Sequence, residues 1–163
     1  MAQAGKLSVK AILTGLLVDV VGSVVLLVVI GVVVGLSVGA DASAGYSRLA
    51  QDAIIKQKIE RIAAGPTFLG LTFFLAALLT VLSGFVTGKL ARGREVVNAL
   101  AMGVVLVVLG LIVWGLSPST FEPVPLYYMV AGLLVCIPAA VLGGSWVQKR
   151  AAATRRPESA ESA

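Results

Sequence analysis

The sequence predicts an all-α membrane protein: four transmembrane helices in an antiparallel bundle, with an additional amphipathic helix between the first and second spans. Three observations predict it. Of the 163 residues, 58% are hydrophobic and 13% charged, where soluble domains carry about 25% charged residues. The mean hydropathy is +1.00, more apolar surface than a water-soluble fold of this length can hide. The apolar residues are also gathered into four runs, each close to or above the ~20 residues that cross a bilayer as a helix.

The runs are taken in order. Residues 1–10 form a polar N-terminus. The first span is Ala11–Gly39, long enough to tilt or to project beyond the hydrocarbon. A cleaved secretory signal has an apolar core of only about 7–15 residues, so this run reads as a retained span. Residues 45–64, within "GYSRLAQDAIIKQKIERIAAG", place Leu49, Ala53, Ile55, Ile59 and Ile62 at roughly helical spacing between charges. That pattern predicts an amphipathic helix on the membrane surface or against the bundle. Pro66 stands at the favoured first-turn position of the second span, Thr67–Gly88. The short joint "KLARGRE" leads to the third span, Val96–Leu116, and "SPSTFEPVP" turns the chain into the fourth, Leu126–Val147. Residues 148–163 read as a short polar, disordered tail.

Lys and Arg set the orientation. Lys6, Lys10, Lys89, Arg92, Arg94, Lys149, Arg150, Arg155 and Arg156 fall on one side. Arg48, Lys56, Lys58 and Arg61 fall on the other, beside Asp41, Asp52, Glu60 and Glu122. Both termini are therefore expected in the cytoplasm and the chain in the inner (plasma) membrane. Trp114, Tyr127 and Tyr128 then fall at the outer interface and Trp146 at the inner one.

With no His and one Cys, Cys136, an intrachain disulfide and catalytic pairs that need an imidazole are excluded. No phosphate-cradling loop or dinucleotide fingerprint is present. The net charge of +5 reports loop orientation and attraction to anionic headgroups, not nucleic acid. No enzyme activity, cofactor or metal is expected. The partners are the lipid bilayer and, through helix contacts, either a second copy or another membrane protein.

Asp19, in "LLVDVVGS", is the one charge between Ala11 and Gly39. A carboxylate at the centre of a spanning helix costs about 2.5–3.5 kcal/mol on insertion scales, and such groups face a bundle interior or water and find a partner. Ser23 follows one turn on. Candidate partners are Thr80, Ser83, Thr87 and Lys89 on the second span, Asn98 on the third and Ser145 on the fourth. Two readings stand: hydrogen-bonded glue that fixes register, or a proton or cation site.

Small residues four apart let backbones approach. Gly31, Gly35 and Gly39 form one such row, and Thr80, Gly84 and Gly88 another. The expected partner is first another helix of the same chain, and second another subunit. At about 100° per residue, Asp19 shares a face with Gly15, Gly22 and Ser23, while the Gly31 row projects nearly opposite. Pro138, in "CIPAA", removes a backbone donor inside the fourth span and is the candidate hinge.

Two resemblances follow from these stretches. "SGFVTGKLARGREVVNALAMG" with "GLLVDVVGS" resembles small bacterial four-helix inner-membrane proteins of no assigned activity. "DVVGS" at 19–23 is similar to the first-helix signature of the small multidrug resistance transporters. There a membrane carboxylate takes proton and cationic drug in turn, and two four-helix chains form an antiparallel dimer. The resemblance would give that role to Asp19. The chain departs from that family in having Asp for the usual Glu and in the 45–64 segment.

The expected function is therefore that of a non-enzymatic structural or accessory subunit acting through helix packing. The alternative is a small proton-coupled transporter using Asp19.

Overall fold

A computed structural model describes residues 7–42, 48–91, 93–116 and 125–154. It is all helical among these: α1 Val9–Ala42, α2 Arg48–Ala63, α3 Pro66–Leu90, α4 Glu95–Leu116 and α5 Leu126–Thr154. Helices α1, α3, α4 and α5 are long and apolar enough to cross a membrane.

The helix ends follow from local chemistry. Ser8 caps α1, its Oγ accepting the Ala11 N–H at 3.3 Å, which satisfies one orphan donor of the first turn. Pro66 opens α3 behind Gly65, where its missing N–H costs nothing. The α3–α4 turn needs Gly93, whose φ of 90° is open to glycine without a Cβ penalty. Its N–H donates to Glu95 Oε1 at 2.9 Å. Arg92 and the segments 43–47, 117–124 and 155–163 lie outside the described residues.

One expectation on α5 changes. The helix does not stop near Val147 but runs to Thr154, so the first part of the expected disordered tail is helical. Gln148, Lys149, Arg150 and Ala151–Ala153 are strong helix formers, and nothing in them breaks the last turns. Pro138, the candidate hinge, lies inside this helix as expected from the length of the span. Pro138 is on an exposed position beside the buried Ala139 and Ala140.

The most extensive interface is between α3 and α5, and it is made by absent side chains. A Cβ on Gly84 would lie 2.8 Å from Ala140 Cα, and one on Gly143 would lie 2.6 Å from Phe85 N. One on Gly88 would lie 3.1 Å from Gly144 Cα. Along α3 and α5 the paired numbers rise together, from Leu69 with Tyr128 to Gly88 with Gly144. Between α4 and α5 they run opposite: Gly110 meets Leu133, Gly103 meets Ile137 and Ala140, and Gly144 meets Glu95 and Ala99. Ala140, with no exposed surface, is where α3, α4 and α5 converge.

Packing is concentrated at the end of the bundle that carries the α3–α4 turn. Buried there are Ala11 and Gly15 of α1, Thr80 to Gly88 of α3 at helical spacing, Asn98 to Gly103 of α4, and Ala139 to Gly144 of α5. Towards the α2 end, among the described residues, α4 beyond Gly103 and α5 before Ala139 have no buried residue. In that half, among the described residues, only Leu69 of α3 and Val38 of α1 are buried. So one half of the bundle is zipped and the other is splayed.

Candidate functional site

Asp19 stands where the zipped half meets the splayed half. Ser83 Oγ donates to its Oδ1 at 2.9 Å, and the Thr80 hydroxyl is the second one beside the carboxylate. Ser83 has no exposed surface and Thr80 only 6%, so α3 presents a dry hydroxyl pair to α1. The single Ser83 proton also has the Leu79 and Thr80 carbonyls at 3.1 Å. Asp19 thus competes with the helix's own backbone for it.

The flanking glycines bring α1 this close. A Cβ on Gly15 would collide with Thr87 Oγ1 and come within 3.0 Å of Met102 Sδ. One on Gly22 would strike the Leu79 side chain. Gly15, Asp19 and Gly22 therefore form the face of α1 that meets α3, as the helical geometry of the sequence expects.

Other candidates fall elsewhere. Thr87 lies fully buried one turn past Ser83, its hydroxyl donating to the Ser83 carbonyl at 2.8 Å with Met102 Sδ at 3.3 Å. It fills the space under Gly15 and does not join the carboxylate. Asn98 is buried, but Oδ1 accepts the Ser8 backbone N–H at 2.8 Å and Nδ2 donates to the Arg94 carbonyl at 2.9 Å. Lys89 is exposed, its long stem letting the ammonium stay in water. Ser145 Oγ donates back to the Leu142 carbonyl at 2.8 Å.

The two glycine rows part company. Gly84 and Gly88 meet α5 at backbone distance, whereas a Cβ added to Gly31 or Gly35 would have nothing within 4 Å. The intrachain neighbour expected first for this row is not found among the described residues: α1 turns its Asp19 face to α3, and a Cβ on Gly31 or Gly35 meets none of them. The surroundings of Gly39 lie outside the described residues.

Beside Asp19 a cleft of about 570 Å³ opens towards the α2 end. Asp19, Ser23 and Leu27 of α1 line one wall, Leu106, Gly110 and Trp114 of α4 another, and Tyr128 and Gly132 of α5 a third. It is apolar apart from Asp19 and Ser23 at one end and the aromatic pair Trp114 and Tyr128 at the other. The Tyr128 hydroxyl donates to the Leu69 carbonyl at 2.7 Å, and its ring meets Phe73 edge-on at 5.7 Å. These contacts hold α5 to α3 in the splayed half, and the cleft lies between α5 and the α1 and α4 walls.

No family model, curated protein or solved structure matches this chain significantly. The site has to be read from its own geometry.

Proposed function

We propose that the chain is a non-enzymatic multi-pass protein of the inner membrane, with both termini cytoplasmic, and a structural or accessory subunit that acts through helix contacts. The observation that carries this reading is the unpartnered face of α1. A Cβ on Gly31 or Gly35 meets nothing among the described residues, and Val28, Val32 and Leu36 beside them are 60%, 56% and 71% exposed. Small residues at this spacing let a second backbone come near. An antiparallel bundle with α2 on the outer surface fits the opposed pairing of α4 with α5 and the basic residues at the α3–α4 turn. In such a bundle α3 and α5 run the same way, as their paired residues do.

The test is the size of the complex in native membranes. Gly31→Leu with Gly35→Leu is expected to leave the fold intact, because both side chains enter open space, and to reduce the native-gel complex to a single chain. A wild-type protein already of single-chain size, or a variant complex of unchanged size, overturns the reading.

A second reading, a small proton-coupled transporter, is favoured by one specific observation: Asp19 is at the end of a cleft and not sealed in the zipped half. An intramembrane carboxylate facing a cavity is where coupling sites sit. Its test is proton-linked flux into liposomes by wild type and by Asp19→Asn, with absence of wild-type flux counting against it.

A further inference from the structure

We infer that the outer groove between α3 and α5, at the end of the bundle that carries the α3–α4 turn, seats one anionic phospholipid, its phosphate held by Arg150 and Lys89. Such a seat needs only a chain that spans a bilayer, and neither a subunit contact nor a role for Asp19.

Position comes first. α3 and α5 reach this end side by side, with Gly88 against Gly144 and Val147. Trp146 and Arg150 stand one turn apart on α5, as Phe85 and Lys89 do on α3. A long helical side chain leans back over the turn before its own Cα, and Arg150 does so. Its Cζ lies 6.0 Å from the Phe85 ring centre and 5.9 Å from that of Trp146, within reach of a cation–π attraction. The rings hold the guanidinium where the apolar run of α5 ends, and a ring face does not use up its in-plane N–H donors. The same lean carries the Lys89 stem towards Phe85 from the α3 side. Both basic residues are exposed, and among the described residues neither forms an ion pair. Glu95 lies elsewhere: its carboxylate accepts the Gly93 N–H at 2.9 Å, and its backbone faces Gly144. At about 100° per residue, Trp146 is about 200° round α5 from Gly144.

Chemistry then names the ligand. A guanidinium with free donors matches a phosphate through two parallel hydrogen bonds, and an ammonium adds a point charge. What lies beneath the cations selects a lipid over a free phosphate. Leu82, one turn before Phe85, is 58% exposed, and Leu142, one turn before Trp146, is 59% exposed. They continue the same two faces into the hydrocarbon and offer acyl chains a surface directly below the headgroup. α1 does not cover this surface, because Ser83, which meets α1, is about 200° round α3 from Phe85. A zwitterionic headgroup brings its own ammonium against two cations. A phosphatidylglycerol headgroup brings a phosphodiester and no opposing charge, and like charges repel least there.

The experiment uses the two tryptophans of the chain, Trp114 and Trp146, as reporters at opposite ends. The full chain carrying Trp114→Phe is reconstituted in mixed vesicles of phosphatidylcholine and phosphatidylglycerol, with one or the other lipid brominated. Quenching of Trp146 then gives the relative affinity of the two lipids at the groove. Phosphatidylglycerol is expected to be preferred about tenfold or more, the scale that two basic side chains at a membrane surface supply. In the same background Arg150→Gln is expected to lower the preference to about twofold, Lys89→Gln to lower it part of the way, and Arg150→Lys to keep part of it. Lys149→Gln removes the same charge from the neighbouring exposed position and should stay within about twofold of the unsubstituted preference. A chain carrying Trp146→Phe, which reports from Trp114, should show no preference. Equal quenching by both lipids at Trp146 overturns the seat. So does the same preference at Trp114, which would be bulk enrichment, or an equal loss in Lys149→Gln and Arg150→Gln, which would be surface potential alone. Loss of the preference on adding inorganic phosphate at constant ionic strength assigns the two cations to a free anion and overturns the lipid.

Discussion

Asn98 Oδ1 lies 2.8 Å from the backbone nitrogen of Ser8, ninety residues away in sequence, and so ties the first turn of α1 to the first turn of α4. The N–H it accepts comes just before α1, where no helical carbonyl is available. Its own amide returns to the Arg94 carbonyl at 2.9 Å, which fixes the side chain before α1 arrives. Asn98 is only 1% exposed, and both bonds are partly buried.

Removing the clamp has a defined cost. Asn98→Ala leaves the Ser8 N–H without its acceptor, a loss of about 1–3 kcal/mol, and frees the α1 start while α3, α4 and α5 stay packed. Unfolding in mixed micelles should show the lower stability. Hydrogen exchange should rise at Ser8 to Ala11 and remain unchanged at Ala140. Uniform loss of protection across the bundle would show that Asn98 supports the whole core.

The glycines separate by what faces them. Gly143→Ala places a Cβ 2.6 Å from Phe85 N, and backbone cannot swing aside as a side chain can. The α3–α5 interface must open, at about 1–3 kcal/mol. Gly35→Ala meets nothing among the described residues and should be neutral or slightly stabilising, since Ala is the better helix former by up to about 1 kcal/mol. Denaturation of both variants in dilute micelles, where subunits are apart, decides it. Equal destabilisation would mean that α1 is packed within the chain after all.

How much of this was legible in the sequence depends on the range of the forces involved. The spans were legible because hydrophobicity and length alone decide which segments enter a bilayer. The face of α1 that carries Gly15, Asp19 and Gly22 was legible because helical geometry is local. Which glycine row found a neighbour was not: Gly31 and Gly84 carry the same signal, and only the arrangement of the other helices distinguishes them. The signal for the missed contacts was present. Ala99 with Gly103, and Ala140 with Gly144, are also small residues four apart, and both line the α4–α5 contact. Asn98 was expected near Asp19 on depth alone. Its real partner is a backbone N–H at a helix start, a position that depth along a span does not resolve. The cleft depends on the splay of four helices and has no local signature at all.

The proposed topology rests on the basic residues and is checked by labelling. In a Cys136→Ala background, single cysteines replace the exposed Gln57, Lys89 and Gln148. An impermeant maleimide added outside intact cells should modify Gln57→Cys and spare the other two until the cells are opened. Labelling of Lys89→Cys from outside would invert the orientation and remove the basis for assigning the α3–α4 turn to the cytoplasm.

The Asp19 series tests what the carboxylate contributes to the fold. Asp19→Asn keeps a carbonyl oxygen for Ser83 and removes the charge, so stability should stay within about 0.5–1 kcal/mol of wild type, the net value of one ordinary hydrogen bond. Asp19→Leu removes the acceptor altogether. An orphaned buried hydroxyl would then cost about 1–3 kcal/mol, but Ser83 is not orphaned: the Leu79 and Thr80 carbonyls already lie at 3.1 Å. The Leu variant should therefore lose little, and it also gains by no longer carrying a carboxylate among helices, a group that costs about 2.5–3.5 kcal/mol at mid-span. The expected order in mixed-micelle unfolding is Leu as stable as or more stable than wild type, with Asn close to both. A carboxylate that the fold does not need is retained for binding, and this ordering assigns Asp19 to the cleft. The opposite ordering, with Asp19→Leu the least stable of the three by more than about 1 kcal/mol, assigns it to the α1–α3 contact as structural glue.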